Sequence, residues 1–353
     1  MDAEQTKIDV LSMDLSTLRE WILSLGFPRF RADQIYGWLI KGATLEEMTN
    51  LPKDLKAVLE EKALIALPKV SEKYVSRIDG TVKFLFELYD GQYIESVVMF
   101  YEHGTTICIS SQAGCRMGCR FCASTLNGKD RDLLPSEMLG QIVMAQKDLG
   151  CRISNVVMMG IGEPLDNYDN VLCFLRLVTS EDGLNIGARH ISLSTCGLVD
   201  KIEKLAQEDL QITLSISLHA YEDEQRSAVM PVNNKWNIDA LLRACADYFH
   251  KTGRRISFEY TLISGVNDSS DGAKKLAALL KRYMKDMPLH VNLIPVNPVK
   301  ERGFDRSGKE RVQAFKKELT DCGVNATVRR HLGADINASC GQLRYKKREG
   351  KIE

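Results

Sequence analysis

The chain has 353 residues, 44% of them hydrophobic and 27% charged, and its 47 basic side chains balance 47 acidic ones. That length suits two domains, or one large α/β domain with an appendage, and the composition is that of an ordinary globular protein. Net neutrality gives no global vote for nucleic acid, so any RNA contact must rest on basic residues gathered locally. No uncharged apolar run approaches a membrane span and the opening residues lack a hydrophobic signal region, which predicts a cytoplasmic protein without a membrane partner. Ten cysteines in such a chain read as metal ligands and reactive thiols, not as a disulfide framework.

The first 70 residues read as short helices. Leu15, Leu18, Ile22 and Leu25 recur at helical spacing over 15–25, with Thr17 and Glu20 placed for a capping box and Gly26 and Pro28 ending the run. A second helix is predicted over 32–40 and closed by Gly42. Thr44 and Glu47 form another capping-box pattern, and a third helix follows Pro52 over 53–63. Such a cluster is a satellite domain, either a nucleic-acid docking module or a plain packing unit. Residues 71–104 read as a β meander with strands over 70–77, 81–89 and 93–101, turned at Asp79-Gly80 and Asp90-Gly91. Glu95 lies in the last of these strands, and spacing alone puts it on the outward face.

Residues 105–330 alternate between strand and helix. Strands are predicted over 105–111, 155–160, 190–195, 211–218, 255–263 and 290–296, and helices near 135–149, 168–180, 199–208, 237–251, 271–286 and 308–322. Six β-then-α units imply a parallel sheet, doubly wound or curled towards a barrel. The strands end on polar or glycine-rich residues, among them Gly160-Ile-Gly162-Glu163-Pro164, Ser194-Thr-Cys-Gly197, Ser217-Leu-His219, Ser264-Gly-Val-Asn267 and Asn297-Pro298. Ligands of parallel α/β folds lie at these carboxyl ends, so the ring reads as one site.

Behind the first strand stands Cys115-Arg-Met-Gly-Cys119-Arg-Phe-Cys122. Three thiolates at this spacing can hold three irons of a four-iron cluster and leave the fourth open to substrate, whereas a structural zinc site wants four ligands. Gly160-Ile-Gly162-Glu163 is too short for a dinucleotide fingerprint, with no helix expected directly behind it; the glycines suit close backbone approach to a ligand amine or ribose. His219 alone is as readily structural as ligand-binding. Cys151, Cys173, Cys245 and Cys322 read as inert core thiols and Cys196 as packing. Cys108 alternates with Ile107 and Ile109 on the strand entering the cluster loop. Cys340 lies in a small-residue loop within 331–353, after a last strand over 325–329 and before the basic tail Arg344-Tyr-Lys-Lys-Arg348.

Together these motifs carry a family resemblance. Cys-x3-Cys-x2-Cys followed by Gly-Glu-Pro resembles the radical S-adenosylmethionine superfamily. Ser110-Ser-Gln-Ala-Gly-Cys115, Gly162-Glu-Pro-Leu165, Ser217-Leu-His-Ala220 and Ala338-Ser-Cys-Gly-Gln342 resemble, more narrowly, its dual-specificity methyltransferases of adenine C2 in 23S rRNA and tRNA. The resemblance runs from about residue 15 to 343 and implies a partial (β/α)6 barrel. It implies that Cys115, Cys119 and Cys122 ligate one [4Fe-4S] cluster, and that Gly162, Glu163, Ser194, Ser217, Leu218, His219 and Asn297 bind S-adenosylmethionine, two molecules per turnover. It assigns methyl transfer to Cys340, disulfide partnership with Cys340 to Cys108, and proton acceptance to Glu95, reversing the reading from spacing. Implied partners are 23S rRNA, tRNA and an electron donor such as flavodoxin or ferredoxin, with the enzyme a monomer.

The implied chemistry explains the residue types. Adenine C2 is electron-poor and offers no nucleophile, so the methyl first goes to a cysteine thiolate and then reaches carbon by a radical route. The target base must also leave its stack. Two alternatives remain: a C8-specific antibiotic-resistance relative, whose members tend to read Gly-Glu-Ala where this chain has Gly-Glu-Pro, and a non-catalytic iron–sulfur RNA-binding regulator.

Overall fold

The computed structural model describes residues 7–338 except Asp286 and Lys300, so Cys340 and the basic tail fall outside the described residues. Chain order begins with β1 (Ile8–Asp9), α1 (Leu15–Ser24), α2 (Phe30–Leu39), α3 (Lys53–Lys62) and β2 (Ala63–Leu64), which pairs in parallel with β1. The cap of α1 is Asp14, whose Oδ1 accepts the Thr17 amide at 2.7 Å, and not the expected Thr17–Glu20 box. Glu20 turns outward to Arg29 instead, at 2.6 Å. Thr44 N–H does donate to Glu47 Oε2 at 2.8 Å, but the segment stays a turn.

The meander strands β3 (Lys69–Val75), β4 (Val82–Glu87) and β5 (Tyr93–Tyr101) are antiparallel, and β5 pairs antiparallel with β6 (Gly104–Cys108). The meander is therefore continuous with the main sheet. Next come β7 (Gln112–Gly114), β8 (Lys129–Asp132), α4 (Pro135–Leu149), β9 (Asn155–Met158), α5 (Tyr168–Thr179), β10 (Ile191–Thr195), α6 (Val199–Leu205) and β11 (Thr213–Ser217). After α7 (Asp223–Val229) follow α8 (Ile238–Thr252), β12 (Ile256–Leu262), α9 (Ser270–Tyr283), β13 (His290–Pro295), α10 (Lys309–Asp321) and β14 (Asn325–Val328). The ten-stranded sheet runs β14-β13-β12-β11-β10-β9-β6-β5-β4-β3 and leaves β3 and β14 as edges. All pairs from β6 to β14 are parallel, which gives six β-then-α units and a closing strand in an open, mostly parallel α/β architecture.

Helical amphipathicity explains how the units close on the sheet. In α8, Ile238, Leu241, Leu242 and Cys245 form one buried stripe, and in α9 Ala273, Leu276, Ala277 and Leu280 form another. One apolar core runs from Val10 in the N-terminal segment to Ala326 in β14, so the helices before residue 65 share it with the barrel. No helix among the described residues is long and apolar enough to cross a membrane.

The barrel interior is polar instead of filled with bulky branched residues. Ser192 and Ser215 hydroxyls meet at 3.0 Å, Ser257 meets His290 at 2.9 Å, and Asn292 donates to Glu259 at 2.8 Å. Contrary to the sequence expectation, a helical turn opens directly behind Glu163. Pro164–Asn167 form a 3-10 turn that runs into α5, because proline presets the backbone and the Glu163 carboxylate accepts the Leu165 amide at 3.1 Å.

Candidate active site

The cysteine motif sits in a loop closed at its base by the β7–β8 pair, a hairpin too short to show in the sequence. Gly114 makes the closure possible: its φ is +84°, and a Cβ there would lie 2.1 Å from the Gly128 carbonyl oxygen. Cys115 N–H donates to that same oxygen at 2.8 Å. The Thr125 hydroxyl lies 3.0 Å from the carbonyl oxygens of both Cys119 and Cys122, and Arg120 N–H donates to Val229 O of α7 at 2.9 Å. The loop is thus clamped from within and from the barrel side.

Cys115, Cys119 and Cys122 line one cavity of about 200 Å³ at the carboxyl ends of the parallel strands. Burial pushes the Cys115 thiol up to about 12 and the Cys119 thiol well above the ordinary range. Such thiols become thiolates only beside a strong positive charge, which bound iron supplies. Among the described residues no three His, Cys, Asp or Glu side chains converge on a single-ion position. Ser124, buried on the same wall, has a hydroxyl with no hydrogen-bond partner among the described residues. Three thiols facing a polar cavity with an unsatisfied hydroxyl fit a multi-iron cluster with an organic ligand beside it.

Gly162, Glu163, Ser194, Ser217 and His219 line this same cavity, as the sequence placed them. Gly162 has φ +111°, and a Cβ there would meet Gln112 at 2.7 Å. Gln112 Oε1 accepts the Glu163 amide at 2.9 Å. Glu163 is fully desolvated, which raises its pKa against the lowering effect of amides from Cys196, at 2.7 Å, and Leu165. His219 has φ +57°, and its Nδ1 accepts the Thr261 amide at 2.9 Å. Burial lowers its pKa to about 3, so the ring is neutral and its proton is assigned to Nε2. Leu218 differs from expectation: its side chain is fully buried and does not line the cavity, and its carbonyl is taken by Arg226 at 3.1 Å.

The sequence did not reveal Cys196 as a lining residue or Arg226 as a brace on the carbonyl oxygens of Cys196, Ser217 and Leu218 behind the cavity. Cys196 lines the cavity as well as packing, and its amide holds Glu163. Arg226 sits on α7, a helix of seven residues too short for periodicity to expose. Cys245 is fully buried as expected, whereas Cys151, Cys173 and Cys322 are only partly buried.

A second cavity, of about 210 Å³, adjoins the first and shares Met159, Ile294 and Arg329 with it. Cys108 lines it, and so does Asn297, which stands apart from the other expected ligand residues. Cationic Arg306, Arg329 and Arg330 gather there beside His331. Cys108 pairs with Val97, so both side chains share a face, and Glu95 two residues earlier shares it too. Glu95 is 2% exposed and its Oε2 lies 2.8 Å from Lys83 Nζ, which overturns the outward placement predicted from spacing. The strand is buried on both faces, and Ser96 on the opposite face reaches Gln141 of α4 at 2.8 Å. Alternation therefore carries no signal there.

Comparison with known proteins agrees with this arrangement. Residues 109–277 match the model of the Radical SAM superfamily, and residues 8–65 match that of the ribosomal RNA large subunit methyltransferase N-terminal domain. The probable dual-specificity RNA methyltransferase RlmN of Clostridium botulinum is 54% identical over 337 residues, 95% of this chain and 96% of that protein. The protein of the same name from Clostridium novyi is 51% identical over 338 residues, 95% of this chain and 97% of its own length. The crystal structure of a radical SAM methyltransferase from Sphaerobacter thermophilus superposes with TM-score 0.89 at 41% identity, covering 95% of this chain and 98% of that one. With identity above one half along nearly the whole chain, this protein belongs to the RlmN family of dual-specificity RNA methyltransferases within the Radical SAM superfamily.

Proposed function

We propose that this RNA methyltransferase modifies C2 of adenine in 23S rRNA at the peptidyl transferase centre and in tRNA at the adenosine 3′ of the anticodon. One observation carries the reading. The cavity that holds three thiols and Glu163 shares Met159, Ile294 and Arg329 with a cationic cavity that holds Cys108, on the strand face shared with Glu95. A ligand-activating site and a base-receiving site thus share a wall. When bound, the [4Fe-4S] cluster and S-adenosylmethionine supply the one-electron chemistry and the methyl group, and two S-adenosylmethionine molecules are consumed per turnover.

The chain's own residues supply the rest. Cys115, Cys119 and Cys122 hold the cluster. Gly162, Glu163, Ser194, Ser217, Leu218 through its backbone, His219 and Asn297 orient S-adenosylmethionine, with the neutral His219 offering its Nε2 proton as a donor. Cys340 accepts the methyl group on its thiolate and carries it to C2, joining enzyme and RNA. Glu95 removes the C2 proton as the adduct gives up one electron, and the Cys108 thiolate then attacks the Cys340 sulfur; the carbon–sulfur bond breaks as the disulfide forms, and the freed carbon takes up a proton to complete the methyl group. Lys83, 2.8 Å from Glu95, holds that carboxylate in the desolvated wall. Arg306, Arg329 and Arg330 hold the flipped nucleotide and its phosphates.

In this reading residues 1–70 dock RNA, 71–104 extend the sheet, 105–330 form the catalytic barrel, and 331–353 carry the methyl-transfer cysteine. The enzyme works as a cytoplasmic monomer, reduced by a flavodoxin or ferredoxin. Mass spectrometry of nucleosides from 23S rRNA and tRNA tests it: cells lacking the protein lose 2-methyladenosine from both. Loss of 8-methyladenosine instead, or no change, overturns it.

A further inference from the structure

Arg226 is a fully buried cation in contact with no carboxylate among the described residues; Asp223 acts on it from further off, across Asn233. Its relative exposure is 0%, and among the described residues no carboxylate lies within ion-pair distance. Its guanidinium donates to neutral acceptors: the carbonyl oxygens of Cys196 at 2.7 Å, Leu218 at 3.1 Å and Ser217 at 3.2 Å, and Asn233 Oδ1 at 2.9 Å. Neutral acceptors satisfy its protons and the more distant Asp223 offsets only part of the cost of burying its charge, which leaves a costly state in a desolvated interior.

The charge lies next to the cluster cavity. Cys196, whose carbonyl receives the shortest of those bonds, lines the cavity with Cys115, Cys119 and Cys122. The helix that carries Arg226 is also tied to the cysteine loop, through Arg120 N–H donating to Val229 O at 2.9 Å.

We infer that the missing counter-charge of Arg226 is the iron–sulfur cluster itself, and that this guanidinium raises the cluster's reduction potential. A four-iron cluster on three thiolates is anionic and gains further negative charge on reduction, so a fixed buried cation favours the reduced form. Arg226 is thus a positioning residue for the strand ends and an electrostatic tuner of the electron-transfer step. The inference rests on Cys115, Cys119 and Cys122 being the cluster ligands.

The test is a redox titration of anaerobically reconstituted holoenzyme, followed by electron paramagnetic resonance, for wild type, Arg226→Gln and Arg226→Lys. Removing the charge in Arg226→Gln should make one-electron reduction about tenfold less favourable, about 59 mV more negative. Arg226→Lys keeps the charge and loses the hydrogen-bond fork, so its midpoint should stay at the wild-type value. An unchanged midpoint in Arg226→Gln, or equal shifts in both variants, overturns the inference and leaves Arg226 as a brace. If Arg226→Gln takes up no cluster, Arg226→Met, neutral and of similar length, takes its place: a tenfold negative shift supports the charge, and a wild-type midpoint refutes it. Wild-type protein without a four-iron signal refutes the ligand assignment instead, a result distinct from an Arg226-independent midpoint.

Discussion

The ion pair between Lys83 and Glu95 offers the sharpest test of how Glu95, the proposed base, is held. Both side chains are desolvated, at 0% and 1% exposure, and lie 2.8 Å apart, and Lys83 also donates to the Asn337 carbonyl at 2.9 Å. Lys83→Met removes the ammonium at nearly constant length and leaves the carboxylate in an apolar wall with Val97 and Met99. Breaking a buried pair from one side costs about 3–5 kcal/mol. At about 1.3 °C per kcal/mol for a chain of 353 residues, melting should fall by roughly 5 °C. Removing both charges in Lys83→Met with Glu95→Leu should restore most of that loss, since an apolar replacement of a whole buried pair is close to neutral. The assay is thermal melting of the four members of the double-mutant cycle, with methyl transfer to RNA in parallel. Both single variants and the double should be defective in product formation, because the double recovers stability without the base. A single variant that melts within about 1 °C of wild type, or a double no more stable than the single, would refute the reasoning.

Further outcomes follow from the same geometry. Cys108→Ala should bind cluster and S-adenosylmethionine normally but accumulate a covalent RNA adduct on denaturing gels, because the sulfur that releases the product is gone; free methylated RNA at the wild-type rate would contradict this. Gly162→Ala places a Cβ 2.7 Å from Gln112 at a φ of +111°, for roughly 3 kcal/mol of strain and displacement, so S-adenosylmethionine affinity measured by calorimetry should fall at least about tenfold. At Asp79, burial opposes ionisation, but amides of Gly333, at 2.8 Å, and Thr81, at 3.0 Å, outweigh it and hold the carboxyl at about 2. Its stabilisation is complete above the ordinary value of 3.8 and is lost as pH falls through about 2; the melting difference between wild type and Asp79→Asn should narrow to nothing over that window.

The elements that carry the barrel were legible because each long helix repeats its apolar residues at 3.6 and each strand ends on a glycine or polar turn. The cavity that unites Cys115 with Gly162, Ser194, Ser217 and His219 follows from that ring of strand ends. What escaped the sequence did so for physical reasons. Glu95 lies in a strand buried on both faces, where alternation cannot tell inward from outward. Arg226 rides a two-turn helix, and its backbone partners come from strand ends eight to thirty residues away in sequence. The cationic cavity draws Arg306 from a loop and Arg329 and Arg330 from the end of the last strand, so no local charge cluster announces it.

The central claim is that the methyl group travels through a cysteine and reaches carbon as a radical. Reconstituted enzyme given RNA and S-adenosylmethionine with a trideuterated methyl group tests it directly, with the product nucleoside read by mass spectrometry. Hydrogen abstraction from the cysteine-bound methyl predicts 2-methyladenosine that keeps two of the three deuteriums, the third appearing in 5′-deoxyadenosine. A product that keeps all three deuteriums, with none in 5′-deoxyadenosine, would mean direct polar transfer and contradict the account.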